Sequence, residues 1–112
     1  MKRIPAVFAL LGAVIANPVV AQDDVPPDLA ESRLRGCLLA GASAAPTSNL
    51  QSAVVSVRPF CGAQIKRVRT HRVDAATAGL DGEAAKRAAD KATRDLNNEI
   101  ALAIANFTGL TS

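Results

Sequence analysis

The sequence predicts an all-α fold in which a disulfide-linked hairpin of two helices is followed by one long third helix. Apolar residues recur at spacings of three and four in three separate segments, which is the period of one helix face. The chain has 2 cysteines, and one lies in each of the first two segments. Alanine is the main apolar residue and the chain has no Trp or Tyr, so we expect a thin core.

Residues 1–21 have the pattern of a secretory signal peptide. Lys2 and Arg3 precede an apolar run over residues 6–16, and Ala21 ends a small-residue cleavage pattern. The alternative is an N-terminal membrane anchor, but the run is shorter than the roughly 20 residues that cross a bilayer. We therefore expect a periplasmic or secreted protein after cleavage near Ala21. It would have a flexible N-terminus over residues 22–27 and a single helical domain over residues 28–112.

Cleavage also changes the charge of the chain. Removing Lys2 and Arg3 leaves eleven basic residues against ten acidic ones, so the formal net charge falls from +3 to +1. A nearly neutral mature chain gives no support for a nucleic-acid partner or an anionic membrane as partner. We also expect no transmembrane segment in the mature chain.

The first helix is predicted to begin at about Leu29 and to end at Ala45, where helical backbone is disfavoured. Asp28 and Glu31 have the spacing of a capping box, and Pro46 disfavours helical backbone at the residue before it. The apolar stripe comprises Ala30, Leu34, Cys37, Leu38, Gly41 and Ala42. The glycine within this stripe allows a neighbouring helix to approach closely, because it has no side chain.

The second helix is predicted to begin near Asn49, where Ser48 and Gln51 repeat the capping-box spacing. Its stripe comprises Leu50, Ala53, Val54, Val57, Cys61, Gln64, Ile65 and Val68. Pro59 lies on the outer face, where it removes a backbone donor and crowds the carbonyl of Val55. Because the stripe continues in phase beyond Pro59, we expect one helix, kinked or briefly broken between these two residues, that ends between residues 69 and 78.

The third helix is predicted from about Gly82 to Phe107, after a turn in which Gly79 is left-handed and Asp81 is the next cap. Its apolar side comprises Ala85, Ala88, Ala89, Ala92, Leu96, Ile100, Ala103, Ile104 and Phe107. Its charged side is predicted to pair with itself at spacings of four, as Glu83–Arg87, Asp90–Arg94 and Lys91–Asp95. Gly109 is predicted to cap the helix, with Leu110 folding back towards Ile104.

Cys37 and Cys61 lie on the inward stripes of consecutive helices, so an antiparallel hairpin predicts a disulfide between them. Closing this loop stabilises the fold by roughly 3.5 kcal/mol in the chain-entropy model. A turn centred near Thr47 would place Val57, one helical turn before Cys61, level with Cys37, so an asymmetric turn or a late start of the second helix is needed. The alternatives are a redox-active pair or an intermolecular bridge, although the redox spacing Cys-x-x-Cys is absent.

The densest charge run holds a candidate anion-binding site for phosphate, lipopolysaccharide or another envelope polyanion. Its cations are Lys66, Arg67, Arg69 and Arg72. On a helix these residues point to nearly all sides and do not converge on one face. The pattern therefore favours a solvated helix segment over a binding patch.

His71 is the single histidine, and it shares a helix face with Asp74. A metal site or a catalytic base needs further convergent groups, so this pair predicts neither. The carboxylates of the third helix are better explained as ion pairs than as an acid and base couple. We expect no enzyme activity, no metal and no cofactor.

The chain resembles a loose group of small, alanine-rich exported bacterial proteins that have one cysteine in each of two successive helices and no assigned function. The resemblance covers residues 31–107, and it depends on Cys-Leu-Leu-Ala at 37–40, Arg-Pro-Phe-Cys at 58–61 and the long last helix. It implies no functional residues. The sequence therefore favours a structural or protein-interaction module of the cell envelope, with a protein partner or a homodimer, over binding of an anionic envelope component.

Overall fold

The computed structural model describes residues 25–45 and 48–110, and within them it contains four helices and no strand. The helices are α1 (Pro27–Ala44), α2 (Leu50–Phe60), α3 (Gly62–Thr77) and α4 (Gly82–Thr108). The prediction of an all-α fold is confirmed, but the described residues form four helices and not three. The predicted signal peptide, residues 1–21, lies outside the described residues.

The additional helix arises because the predicted second helix divides at Cys61. This residue has φ −103° and ψ 19°, outside helical geometry, and it ends α2 and precedes α3. Pro59 lies inside the last turn of α2, where it supplies no backbone donor, and Gly62 follows the junction with its low helix propensity. The expected break between Val55 and Pro59 is therefore wrong in position, since the helix ends after the proline.

The break between α2 and α3 is one residue long, and helical hydrogen bonds are present on both sides of it. The Cys61 N–H donates to the Val57 carbonyl at 3.0 Å, and the Ile65 N–H donates to the Cys61 carbonyl at 2.9 Å. As a result, the buried residues of α2 and α3 keep one phase across the junction. The two helices together form one arm, which we call the α2–α3 arm (residues 50–77).

Both predicted capping boxes are wrong. Helix α1 begins at Pro27, whose fixed φ suits a first turn, and no side chain caps it at Pro26. Helix α2 is capped by Asn49, whose Oδ1 accepts from the Ser52 N–H at 2.8 Å. In the first case the reason is tertiary, because Glu31 is bound by a distant arginine and does not reach back to a cap.

The turns around α4 follow the predicted chemistry more closely. Gly79 has φ 75° and Gly109 has φ 74°, so both glycines adopt the predicted left-handed conformation. The Gly109 N–H donates to the Ala105 carbonyl at 2.8 Å, which ends α4. Asp81 occupies the N-cap position, but its side chain makes no capping hydrogen bond.

The start of the described chain is held against the bundle. Val25 is 5% exposed, and its carbonyl accepts a hydrogen bond from His71 Nε2 at 2.8 Å. Val25 belongs to the segment 22–27 for which the sequence predicts a flexible terminus, and residues 22–24 of that segment lie outside the described residues. No local sequence pattern indicates this contact, because its partner His71 is 46 positions away in the chain.

The core lies where all four helices meet. It comprises Val25, Ala30, Leu34, Leu38, Ala45, Ala53, Val57, Cys61, Ile65, Val68, Leu96, Ile100 and Ile104. The predicted inward stripes of the first two predicted helices contain most of these residues. In contrast, none of residues 69–95 is fully buried. The end of α3 and the first half of α4 therefore extend beyond the core, and the alanines there are at most partly buried.

The disulfide between Cys37 and Cys61 joins α1 to the junction between α2 and α3, with 5.8 Å between the two Cα atoms. The expected mismatch with a simple hairpin is absorbed by the late start of α2 at Leu50. Cys37 and Cys61 lie at equal distances from Asn49 along the chain, as do Gly41 and Val57, which are also neighbours across the interface. The hairpin is therefore centred on Asn49 and not on Thr47.

Gly41 is the point of closest approach between α1 and α2. A Cβ atom at this position would lie 3.1 Å from Phe60 Cδ2 and 3.1 Å from Val57 Cγ1. The valine is buried and cannot move away easily. The predicted role of Gly41 in helix packing is therefore confirmed.

Substitution of Gly41 and of Gly36, also in α1, should separate helix propensity from packing. A Cβ at Gly36 would meet nothing within 4 Å, so Gly36→Ala should raise the free energy of unfolding by up to about 1 kcal/mol. Gly41→Ala should raise the free energy of unfolding by less than Gly36→Ala does. Gly41→Leu should lower it by about 1–3 kcal/mol, because the side chains of the core must move to make room. Urea unfolding followed by far-UV circular dichroism measures all three. Equal stabilisation by the two alanine variants would contradict the close approach.

Candidate functional site

Arg72 joins three helices through its guanidinium group. Its Nε donates to Glu31 Oε2 at 2.9 Å, and its Nη2 donates to Glu31 Oε1 at 2.8 Å. The remaining terminal nitrogen, Nη1, donates to Glu99 Oε2 at 2.6 Å. One arginine of α3 therefore binds α1 in a bidentate manner and α4 through a single contact, which is the geometry that a planar guanidinium favours.

The electrostatics of this group follow from the hydrogen bonds. The hydrogen bonds from Arg72 hold the pKa of Glu31 below its usual value of 4.5, against the opposing effect of partial burial. The charges of Arg72 and Arg35 lower this pKa further. The two carboxylates in turn raise the pKa of Arg72, so both partners remain charged wherever the protein is folded at neutral pH.

This arrangement divides the candidate anion-binding set. Arg72 is already bound by two carboxylates, whereas no ion pair within the described residues involves Lys66, Arg67 or Arg69. Lys66 lies on the outer side of α3, and Arg67 and Arg69 lie on opposite flanks, as about 100° per residue requires. The four cations that the sequence placed together therefore do not meet at one point.

His71 is also used internally, because its Nε2 donates to the Val25 carbonyl. Among the residues that the structure describes, no three His, Cys, Asp or Glu side chains are grouped so that they could hold a metal ion. Both cysteines are in the disulfide, so neither is available as a thiol ligand or nucleophile. The neighbouring residues His71 and Arg72 thus act together to hold the N-terminal part of α1 on α3.

A shallow cleft lies beside Arg72, between α1 and α4. Its volume is about 90 Å³, and its lining includes Glu31, Arg35, Leu38 and Ala103. Small-molecule sites usually have volumes of roughly 300–1,000 Å³. The cleft is therefore too small for a substrate of ordinary size, and its charged groups already bind one another.

The α2–α3 arm has exposed apolar residues next to basic ones. Val55 is 65% exposed and Phe60 is 64% exposed, and Pro59 between them is exposed as well. We call these three residues the apolar ridge. Arg58 lies within the same turn, and Lys66 and Arg67 continue the surface along α3. This surface therefore combines apolar side chains with cations.

The sequence surrounding this surface contains no carboxylate over a long stretch. No Asp or Glu occurs between Glu31 and Asp74, and the latter is the single acidic residue of the α2–α3 arm. The nearly neutral net charge predicted for the mature chain thus conceals a segregation of charge. Sequence reasoning missed this feature because it compared totals, although the spacing of the acidic residues was visible.

Sequence reasoning also missed the contacts of Glu31, Arg72 and Glu99, which are 41 and 27 positions apart. No local pattern indicates these partners. Of the three pairs predicted within the last helix, Lys91–Asp95 is formed at 2.7 Å. The other two predicted pairs are not formed in the described length of α4.

Comparisons with known protein families, with characterised proteins and with solved structures found no match to this chain. The resemblance to exported two-cysteine proteins therefore stays a prediction. None of the helices within residues 25–45 and 48–110 has both the length and the apolar composition required to cross a membrane.

Glu31→Gln should lower the free energy of unfolding by about 1 kcal/mol at neutral pH, because it weakens a partly exposed, charge-assisted contact between helices. The folded-state pKa of Glu31 is depressed, so its contribution is complete above the unfolded value near 4.5 and is lost as the pH falls below it. The gap between wild type and Glu31→Gln in urea unfolding should therefore narrow towards about pH 3.

The control for this comparison is Asp95→Asn, which removes an exposed pair on α4 whose two side chains are 72% and 51% exposed. It should change stability by no more than about 0.5 kcal/mol. A gap between wild type and Glu31→Gln that stays constant down to low pH would contradict the role assigned to the carboxylate of Glu31.

Proposed function

We propose that this protein is a small exported module of the cell envelope that acts through surface contacts with another protein or a second copy of itself. The observation that carries the proposal is the apolar ridge, since Val55 and Phe60 each leave more than three fifths of their surface exposed. Large exposed apolar residues that lie together are typical of interaction sites. The disulfide suggests a non-reducing environment, in agreement with export by the predicted signal peptide.

The way in which the ridge is held also supports this proposal. Phe60 is followed by Cys61, which is fully buried and bonded to α1. The ring of Phe60 lies over Gly41, against the surface of α1. The ridge is therefore fixed to the covalently linked part of the bundle, and little conformational freedom has to be lost when a partner binds.

Site-directed photo-cross-linking in intact cells tests this proposal. A photo-reactive phenylalanine analogue at position 60 should give a discrete adduct, either with a partner protein or with a second copy of the chain. The same analogue at position 80 should not, although Leu80 is 46% exposed, because it lies in the turn between α3 and α4. A protein that stays monomeric with no adduct at position 60 would contradict the proposal.

A second candidate function is the binding of an anionic envelope component through the α2–α3 arm. The segregation of charge favours it: Arg58, Lys66, Arg67 and Arg69 lie on an arm whose single carboxylate is Asp74. Arg72 of the predicted set would contribute structurally, because Glu31 and Glu99 bind it. Cations that lack neighbouring carboxylates attract anions over about 10 Å at moderate salt.

Salt-dependent retention on an anionic resin tests this second candidate. Arg67→Ala combined with Arg69→Ala should lower the salt concentration at which the protein elutes. Lys86→Ala combined with Arg87→Ala removes the same charge from α4, where Glu83 and Asp90 are nearby in the chain, and should lower it less. Equal shifts for the two double variants would indicate that net charge alone controls retention, and would remove this candidate.

A further inference from the structure

We propose that the outer face of the α2–α3 arm docks on the surface of an anionic phospholipid bilayer, with the apolar ridge at the headgroup boundary and the cations of the arm at the phosphates. This inference rests on the second candidate function and names its ligand. It concerns a protein that lies on the membrane surface, not one that crosses it.

The outward face of the α2–α3 arm follows from the phase of its buried residues. The buried residues of the arm are Ala53, Val57, Cys61, Ile65 and Val68, and they keep one phase through both helices. At about 100° per residue, Val55, Pro59 and Lys66 lie on the side opposite to them. Val55, Pro59 and Lys66 therefore point in the same direction, away from the bundle, and Phe60 lies at the edge of this face, where its ring contacts α1 at Gly41.

Further exposed residues lie on the two flanks of the α2–α3 arm. Arg58 lies on one flank of the arm, and Phe60 and Arg67 lie on the other. Long basic side chains on a helix can extend their charged ends towards phosphates while their methylene groups cover apolar surface. The arm thus exposes apolar residues accompanied by cations, a combination that helices at a membrane interface also have.

The distribution of charge over the bundle would orient the molecule on an anionic surface. The acidic residues of the described chain lie at the start of α1, at the end of α3 and along the turn and α4 as far as Glu99. Residues 100–110, which comprise the end of α4 and the two residues after it, include no charged residue, and they include Leu102, which is 63% exposed. An anionic surface therefore attracts the α2–α3 arm and repels the turn around Asp81, which orients the molecule.

The shape of the surface favours a bilayer over a soluble polyanion. The cations lie along a helix surface and on both of its flanks, so they diverge from one another and do not converge on one phosphate group. A soluble anion makes no use of Val55 and Phe60, whereas the boundary of a bilayer accepts apolar side chains and phosphate contacts at the same time. A planar array of headgroups also reaches cations that diverge from one another.

Flotation of the exported chain with lipid vesicles tests this inference. The protein should float with phosphatidylcholine vesicles that contain phosphatidylglycerol, and should stay behind with vesicles of phosphatidylcholine alone. Lys66→Ala combined with Arg67→Ala should lower the partition coefficient roughly 25-fold, because each cation near an anionic surface contributes about fivefold. Val55→Ser combined with Phe60→Ser should lower it by at least about tenfold.

Two matched controls accompany these variants. Leu80→Ser replaces an exposed apolar residue in the turn, and Lys86→Ala combined with Arg87→Ala removes two exposed cations from α4. Both should change vesicle binding by less than about threefold. Far-UV circular dichroism and urea unfolding establish that every variant folds before its binding is compared.

Three outcomes would overturn the inference. One is equal flotation with neutral vesicles, and another is an equal loss of binding in the control variants. The third is retention on the anionic resin without any flotation, which would leave the second candidate function standing with a soluble polyanion as its ligand. If retention on the resin also proves insensitive to Arg67 and Arg69, the candidate function itself fails. Binding that depends on both the cations and the apolar ridge supports the inference.

Discussion

The disulfide between Cys37 and Cys61 is the constraint on which the rest of the structure depends. It joins α1 to the single non-helical residue between α2 and α3, so one covalent bond sets the relation of three helices. The core would stabilise the fold only weakly without this bond, because the chain has no Trp or Tyr and the partly buried residues of the first half of α4 are mostly alanines. Domains of this size often depend on such a covalent link.

Polar contacts of two adjacent residues of α3 add to the constraint that the disulfide sets. Near the start of α1, Arg72 binds Glu31 and Glu99, and His71 binds the Val25 carbonyl. His71 and Arg72 therefore hold the start of α1 on α3, and Arg72 also joins α3 to α4. The contacts of Arg72 lie beside the buried residues Leu34, Leu96 and Ile100 and add to the apolar packing there.

These contacts also explain why the basic segment does not act as a unit. Its last two residues face the bundle and are used for stability, whereas Lys66, Arg67 and Arg69 face outwards or to the flanks. The outward cations continue a surface that begins with Val55, Pro59 and Phe60. The chain has a formal net charge of only +3, yet one of its arms is basic and partly apolar, and the proposals on function depend on this local composition.

The sequence by itself determined the helical class, the inward stripes, the left-handed glycines at 79 and 109 and the pairing of the cysteines. These features depend on periodicity and backbone preference, which act within a few residues, and on there being just two cysteines in the chain. Only the tertiary structure decided that the second predicted helix divides at Cys61. It also decided that Glu31 binds Arg72 and that Val25 is buried. The partners in these contacts are 41 and 46 positions apart, and packing alone brings them together.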